Sequence, residues 1–193
     1  MITTLAYWDH ELFFLINRGL SNAFFDLILP WVREAKIWLP LYLFFLYLII
    51  RLKKKKSWLW IAALVLAVGA SDSIASGIFK PGFERPRPCH HQNLQQEVIL
   101  RKHDGNCGGK YGFVSSHAAN HFAIALFICL LFGCSRRSWT SWALFIWAGL
   151  IAFAQVYVGV HFPGDVLVGA LIGLLMAYIF FRFALFVENS YLR

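Results

Sequence analysis

The stretch Trp58–Phe79 has the sequence WLWIAALVLAVGASDSIASGIF. Asp72 is its single charged residue, and its length matches the ~20 residues that a helix needs to cross the hydrocarbon core of a bilayer. A lone segment in hydrocarbon must satisfy its own backbone N–H and C=O groups, and a helix does so internally. The stretch therefore predicts a transmembrane α-helix.

Further apolar runs extend this interpretation to the whole chain. The chain of 193 residues is 59% hydrophobic and 15% charged, against roughly 25% charged in soluble domains. Its other long apolar runs are Ala118–Cys134, Trp139–Val160 and Val166–Val187, with a shorter one at Ile37–Ile50. We predict an all-α fold, a polytopic transmembrane helical bundle with five spans. It forms a single membrane-embedded domain over residues 1–193.

The first 36 residues are apolar in short pieces only. Leu12–Ile16 and Phe24–Trp31 are apolar, but polar residues such as Asn17 and Asp26 interrupt the pattern. We predict that residues 1–36 form one or two interfacial amphipathic helices. The alternative is a sixth, broken span.

Small and polar residues within Trp58–Phe79 suggest contacts with other helices. Gly69, Ser73 and Gly77 recur at four-residue spacing, which predicts a face for close helix packing. Asp72 is an acid inside a span, and such residues are commonly functional. Its alternative role is a hydrogen bond to a neighbouring helix.

The distribution of charge predicts the orientation in the membrane. Five basic residues and no acid lie in Arg51–Lys56, and five spans put that loop on the same side as Ser135–Ser138, which the positive-inside rule makes cytoplasmic. Residues 80–115 then form an extracytoplasmic loop that carries part of the site. We expect a multi-pass protein of the bacterial inner (cytoplasmic) membrane, with its active site facing the periplasm or cell exterior.

The net charge of +8 lies mostly in short loops, which favours a lipid bilayer with anionic headgroups as partner and not nucleic acid.

The cysteines fall into two classes. Cys129 and Cys134 lie in or at the end of an apolar run, where they are expected to be inert. Cys89 and Cys107 lie in the polar loop, at a spacing that fits no zinc pattern. If that loop faces an oxidising compartment, the two are expected to form a disulfide.

Three clusters of polar side chains that could bind or react with a substrate occur at span ends on the same side of the predicted bundle. They are Lys80–Pro88, Ser115–His117 and Gln155–Asp165. Lys80 and Arg87 supply fixed positive charge, and the planar arginine fork matches phosphate oxygens. The alternative for these cations is snorkelling at a span end.

The second and third clusters contain groups suited to anion binding and nucleophilic attack. Ser115 and Ser116 suit the N-terminus of a helix, which presents free N–H groups and partial positive charge to an anion. Asp165 can accept a hydrogen bond from one imidazole nitrogen of His161, which orients the other nitrogen as a nucleophile or base. A buried structural pair is the alternative for these two residues.

Together the clusters resemble the type 2 phosphatidic acid phosphatase family, which is related to the vanadium haloperoxidases. The family pattern K-x6-R-P is matched in full by Lys80, Arg87 and Pro88. The pattern P-S-G-H reads here as Val-Ser-Ser-His at residues 114–117. The pattern S-R-x5-H-x3-D keeps His161 and Asp165, but Ala-Gln at residues 154–155 stands in place of Ser-Arg.

The resemblance implies roles for these residues. His161 would attack phosphorus to form a phosphohistidine, Asp165 would orient it, and His117 would protonate the leaving oxygen. The phosphoryl oxygens would be bound by Lys80, Arg87, Ser115, Ser116 and Gln155. No cofactor and no metal are implied.

The function that follows is metal-independent hydrolysis of a phosphomonoester or diphosphate of a membrane lipid. The candidates by resemblance are undecaprenyl diphosphate, phosphatidylglycerophosphate, phosphatidic acid and lipid A phosphates, and no protein partner is implied. Gln155 cannot supply the charge of the family arginine, for which Arg85, Arg101 and Lys102 are candidate substitutes. That loss of charge favours the alternative, a non-catalytic protein that binds or transports a lipid phosphate in the same pocket.

Overall fold

The computed structural model describes residues 2–102, 105–133 and 138–191, and within them the fold is all-helical. The α-helices are α1 (Ile2–Phe14), α2 (Ala23–Val32), α3 (Leu39–Lys53), α4 (Ser57–Ser73), α5 (Lys80–Phe83), α6 (Ser116–Leu131), α7 (Trp139–Tyr157) and α8 (Pro163–Tyr191). Short π-helical segments, Leu15–Gly19 and Ile74–Phe79, extend α1 and α4. Short 3₁₀ segments occupy Ala35–Trp38, Lys54–Lys56 and Pro88–His90. The all-α prediction is confirmed.

Long apolar helices account for most of the described chain. The stretches long and apolar enough to cross a membrane are Ala35–Phe83, Trp139–Tyr157 and Pro163–Tyr191, whereas α6 is a shorter apolar helix. The first of these holds 49 residues and contains both α3 and α4. Lys54, with φ of 50°, ends α3 because this left-handed conformation is incompatible with a continuing helix, and α4 packs back against α3.

The N-terminal region forms a bent pair of helices. Its two arms, Thr4–Gly19 and Ala23–Val32, meet at 115° and together satisfy the length and hydropathy of a span. Asn17, at the bend, donates to the carbonyl oxygens of Ile99 (2.9 Å) and Tyr157 (2.8 Å) and accepts from the N–H of Ile99 at 3.0 Å. The polar residue that interrupts the apolar pattern therefore fastens the N-terminal helices to the loop before α6 and to the end of α7.

The most extensive helix–helix contact in the described chain is that between α6 and α8. A Cβ added at Gly169 would lie 2.5 Å from the carbonyl oxygen of Ser115, and one added at Gly173 would lie 2.0 Å from that of Ala119. Both obstacles are backbone atoms, which cannot rotate away. Small residues of this kind let helices in a membrane approach until their backbones touch.

The small-residue face predicted on α4 is wrong. A Cβ at Gly69 or Gly77 would meet no atom within 4 Å, so neither glycine is needed for a close approach. Gly69, Ser73 and Gly77 recur every four residues, and the same interval separates Gly169 from Gly173. The pattern alone does not reveal which face meets a neighbouring backbone and which faces an open groove.

The predicted loop of residues 80–115 is tied to the helical bundle at several points. Cys89 and Cys107 are joined by a disulfide, with their Cα atoms 6.2 Å apart. The N–H of Arg87 donates to the carbonyl oxygen of Lys110 at 3.0 Å, so the two limbs of the loop run side by side. The prediction of this disulfide is confirmed, whereas Cys134 lies outside the described residues.

We predict that Gly173→Ala destabilises the protein because the new methyl group must push α6 and α8 apart. Overpacking of this kind costs typically ~1–3 kcal/mol. The measurement is the thermal unfolding midpoint in detergent. Gly149→Ala is the matched control, since a Cβ there meets nothing within 4 Å. Equal midpoints for the two variants would contradict the claim that the α6–α8 contact requires a glycine.

Candidate active site

The connection between α7 and α8 carries the residues predicted to perform the chemistry. His161 lies directly before α8 and is 2% exposed, and Asp165 lies in the first turn of α8 and is fully buried. The N–H of Phe162 donates to Oδ2 of Asp165 at 2.9 Å. This bond satisfies a free N–H at the start of the helix and also fixes the carboxylate.

Asp165 and His161 form the pair that the spacing predicted. Nδ1 of His161 lies 3.4 Å from Oδ2 of Asp165, an electrostatic contact whose length and alignment fall short of a full hydrogen bond. Burial lowers the pKa of His161 to about 4, although the neighbouring Asp165 acts in the opposite direction. The imidazole is therefore neutral at physiological pH. A proton on Nδ1, facing Asp165, leaves the lone pair on Nε2.

Arg87 faces that lone pair. Its Nη1 lies 3.3 Å from Nε2 of His161 and 3.2 Å from the carbonyl oxygen of Val160, and its Nε donates to the carbonyl oxygen of Gly109 at 2.7 Å. Burial lowers the pKa of Arg87, which nonetheless remains charged at neutral pH. A fixed cation thus stands beside the nitrogen that would attack a phosphate.

Arg85 performs a different task from Arg87, although both lie in the same motif. Its Nη1 contacts Oδ1 of Asp165 at 2.7 Å and its Nη2 contacts Oδ2 of Asp9 at 2.6 Å. Asp9, on α1, also accepts from the N–H of Gly164 at 2.7 Å. The expectation that Arg85 could replace the family arginine at position 155 is therefore not supported, because Arg85 is committed to two carboxylates.

The N-terminus of α6 lies against the start of α8 and contributes Ser115 and Ser116 to the site. The hydroxyl of Ser115 accepts from the N–H of Ala118 at 3.4 Å, and its own N–H donates to the carbonyl oxygen of Asp165 at 3.0 Å. Nζ of Lys80 donates to the hydroxyl of Ser116 at 3.2 Å. Lys80 and the α6 N-terminus, which are far apart in sequence, therefore share one small region.

His117 lies in the first turn of α6 and is supported by His121 one turn further on. The carbonyl oxygen of His117 lies 2.7 Å from Nδ1 of His121, and the hydroxyl of Tyr42 lies 2.7 Å from Nε2 of His121. Because a carbonyl only accepts, Nδ1 of His121 carries the proton and Nε2 accepts from Tyr42. The buried His121 thus connects α3 to α6 beside His117.

Gln155 is fully buried on α7, and its side chain contacts Arg33, the residue directly after α2. Nε of Arg33 donates to Oε1 of Gln155 at 3.4 Å, and Nε2 of Gln155 donates to the carbonyl oxygen of Arg33 at 3.5 Å. The other candidate substitutes for the family arginine bind elsewhere. Arg101 pairs with Asp26, and Lys102 donates to the carbonyl oxygen of Asn106 at 2.6 Å.

Sequence reasoning missed Asp9 and Arg33. Both lie in the N-terminal segment, where they interrupt apolar residues in the same way as solvent-facing charges would. The signal that could have drawn attention to Arg33 was the unexplained loss of charge at position 155. Their partners Gly164 and Gln155 lie more than 100 positions away in the sequence, and only the folded chain brings them together.

Comparison with known proteins agrees with this geometry. The sequence profile of the PAP2 superfamily matches residues 60–187. The crystal structure of Aquifex aeolicus LpxE superposes with a TM-score of 0.63 at 27% identity, over 89% of this chain and 93% of that one.

Similarity to individual bacterial proteins extends the comparison along the sequence. A lipid A 4'-phosphatase of Bacteroides thetaiotaomicron is 30% identical over 185 residues, which are 95% of this chain and 80% of that protein. The undecaprenyl-diphosphatase BcrC of Bacillus subtilis is 35% identical over 72 residues, 37% of this chain and 35% of that protein. Since the family profile spans most of the chain, and the Bacteroides protein is similar along nearly all of it, the chain belongs to the PAP2 superfamily.

Proposed function

We propose that this protein is a membrane lipid phosphatase that removes a phosphate from a lipid A-type substrate through a phosphohistidine on His161. The observation that carries the proposal is the arrangement around that residue. Its buried, neutral imidazole has Asp165 at Nδ1 and Arg87 3.3 Å from Nε2. One nitrogen is thereby oriented and the other faces a cation that would hold a phosphate oxygen.

The reaction would proceed in two displacements. Nε2 of His161 attacks phosphorus, the bond from phosphorus to the lipid oxygen breaks, and His117 gives that oxygen its proton. Water then attacks the phosphohistidine, His117 takes a proton from it, and the bond from phosphorus to His161 breaks to release orthophosphate. Asp165 stabilises the imidazole while it carries positive charge.

Fixed cations and backbone dipoles would hold the phosphoryl oxygens. Lys80 and Arg87 supply charge, and the N–H groups at Ser115–His117 supply the partial positive charge of a helix N-terminus. Charge in the transition state of phosphoryl transfer spreads over these oxygens, so positioned donors are the main catalytic tool. We infer metal independence from this arrangement, and the described residues contain no group of three His, Cys, Asp or Glu side chains fit to hold a metal ion.

The choice of substrate rests on the extent of the similarities. The lipid A 4'-phosphatase of Bacteroides thetaiotaomicron is similar over 95% of this chain, whereas the undecaprenyl-diphosphatase of Bacillus subtilis is similar over 37%. We therefore propose a lipid A phosphomonoester, rather than undecaprenyl diphosphate, as the preferred substrate. The acyl chains would lie in the bilayer while the phosphate enters between Lys80 and His161.

The membrane topology that suits this reaction has five spans. We propose that Ala35–Phe83 crosses twice, as α3 and α4, because it turns back at Lys54. α6, α7 and α8 complete the count, and the bent α1–α2 pair lies at the interface. The site, at the ends of α4, α6 and α7, then faces the periplasm, and the lysines at residues 53–56 face the cytoplasm.

Phosphate release from a panel of lipid phosphates tests the activity. We expect the purified protein, in detergent with chelator, to hydrolyse a lipid A phosphomonoester faster than phosphatidic acid or undecaprenyl diphosphate. His161→Ala should abolish turnover because, among the residues that the structure describes, no other group is placed to attack. His117→Ala should slow it by the ~10²–10⁴-fold typical of general acid catalysis.

His90→Ala is the matched control, since it removes an exposed imidazole from the same side of the protein and should keep wild-type turnover. Wild-type turnover by His161→Ala would rule out the mechanism. A wild-type protein that binds lipid phosphates and hydrolyses none of them would favour the binding or transport alternative.

The redox state of the Cys89–Cys107 pair tests the orientation. If the loop faces the periplasm, protein extracted from cells with its thiols blocked at once should yield a disulfide-linked peptide pair that separates on reduction. Peptide mass spectrometry with and without reductant provides the measurement. Alkylated Cys89 and Cys107 before reduction would contradict a periplasmic loop.

A further inference from the structure

The site departs from its family pattern at position 155, where glutamine replaces arginine. A neutral amide cannot make the charge-assisted bonds that a guanidinium makes to phosphate, which are roughly twice as strong as neutral ones. Gln155 is fully buried on α7 and directs its amide towards Arg33. The place of the missing guanidinium therefore lies next to another arginine.

Arg33 is an unusual arginine in its burial and its position. It lies at the C-terminal end of α2 and is 7% exposed. Its Nε contacts Oε1 of Gln155 at 3.4 Å while its carbonyl oxygen accepts from Nε2 of the same amide at 3.5 Å. Gln155 thus holds both the backbone and the guanidinium of Arg33, and α7 determines where this charge lies.

The charge of Arg33 interacts electrostatically with Arg87 of the candidate active site. Burial is the main cause that lowers the pKa of Arg87, and the charge of Arg33 adds to it. Nη1 of Arg87 lies 3.3 Å from Nε2 of His161. Bringing the buried guanidinium of Arg33 towards the half-buried guanidinium of Arg87 is unfavourable unless anionic groups lie close to both. Asp165 is near Arg87, and Glu34 contacts Arg33 at 2.6 Å. A phosphate dianion between the arginines would relieve the remaining repulsion.

We propose that Arg33, anchored by Gln155, binds the phosphoryl group of the substrate in place of the family arginine. The charge lost from α7 would be restored from α2, so the N-terminal helices would form part of the catalytic site as well as a membrane attachment. This inference rests on the proposed phosphatase function. Glu34 is partly exposed and contacts the guanidinium of Arg33, so phosphate would compete with Glu34 for that guanidinium as substrate enters.

The test compares Arg33→Met, Arg33→Lys and the double variant Arg33→Met with Gln155→Arg. Methionine keeps the apolar stem that packs in the protein and removes only the charge. We expect Arg33→Met to lower kcat/KM on a lipid phosphate by at least ~10²-fold, the scale of losing one transition-state donor. It should also weaken inhibition by inorganic orthophosphate. The double variant should recover a large part of both losses, because it returns the charge to position 155.

Controls separate a charge effect from a structural one. Arg18→Met removes a half-exposed arginine of the same N-terminal segment and should leave both readouts unchanged. Arg33→Lys keeps a charge without the planar fork and should fall between wild type and Arg33→Met. Thermal unfolding midpoints show whether each variant is folded.

Three results decide the inference. Arg33→Met with the orthophosphate inhibition and kcat/KM of wild type would overturn it. Folded variants in which neither Arg33→Lys nor Gln155→Arg recovers any activity or inhibition would also overturn it. A wild-type protein that binds orthophosphate through Arg33, by direct binding measurement, but hydrolyses no lipid phosphate would uphold the anion site and contradict the proposed function instead.

Discussion

The close contact between α6 and α8 determines where the residues of the site lie. Gly169 and Gly173 let the backbone of α8 touch the carbonyl oxygens at the start of α6. This approach sets the register at which the N–H of Ser115 reaches the carbonyl oxygen of Asp165, at 3.0 Å. The anion-binding end of one helix and the histidine–aspartate pair of the other therefore face the same space. In a membrane, where apolar burial gives helices little reason to associate, such packing contributes much of the attraction.

A network of hydrogen bonds and ion pairs around Asp165 offsets the cost of burying its charge. Asp165 is fully buried and carries its negative charge among three groups that stabilise it: the N–H of Phe162, the guanidinium of Arg85 and the imidazole of His161. Arg85 is in turn balanced by Asp9 from α1. Removing one partner of such a network leaves a buried charge uncompensated, which is strongly unfavourable. The N-terminal helix thus supports the orientation of His161 without touching it.

The sequence predicts the helices of this protein better than their contacts. Long apolar runs and the backbone's need for internal hydrogen bonds are local properties, so Trp58–Phe79 and Trp139–Val160 correspond closely to observed helices. The motif residues Lys80, Arg87, His161 and Asp165 could be selected because chemistry restricts which side chains can bind and attack a phosphate. Arg33 and Asp9 could not, since each depends on a partner that only the fold supplies. The same limit applies to the small residues at four-residue spacing. The sequence does not show that Gly173 meets a neighbouring backbone whereas Gly69 does not.

The proposed mechanism requires that His161 becomes covalently phosphorylated at the nitrogen facing Arg87. The most direct measurement is a rapid quench of the enzyme with a radioactively labelled lipid phosphate, followed by peptide mapping under alkaline conditions. A label that is stable in alkali, labile in acid and located on His161 is the predicted result. It should accumulate when His117 is replaced and the leaving group is a good one, because loss of the base slows the second displacement more than the first. Turnover without any phosphoenzyme, or a label on another residue, would contradict the account.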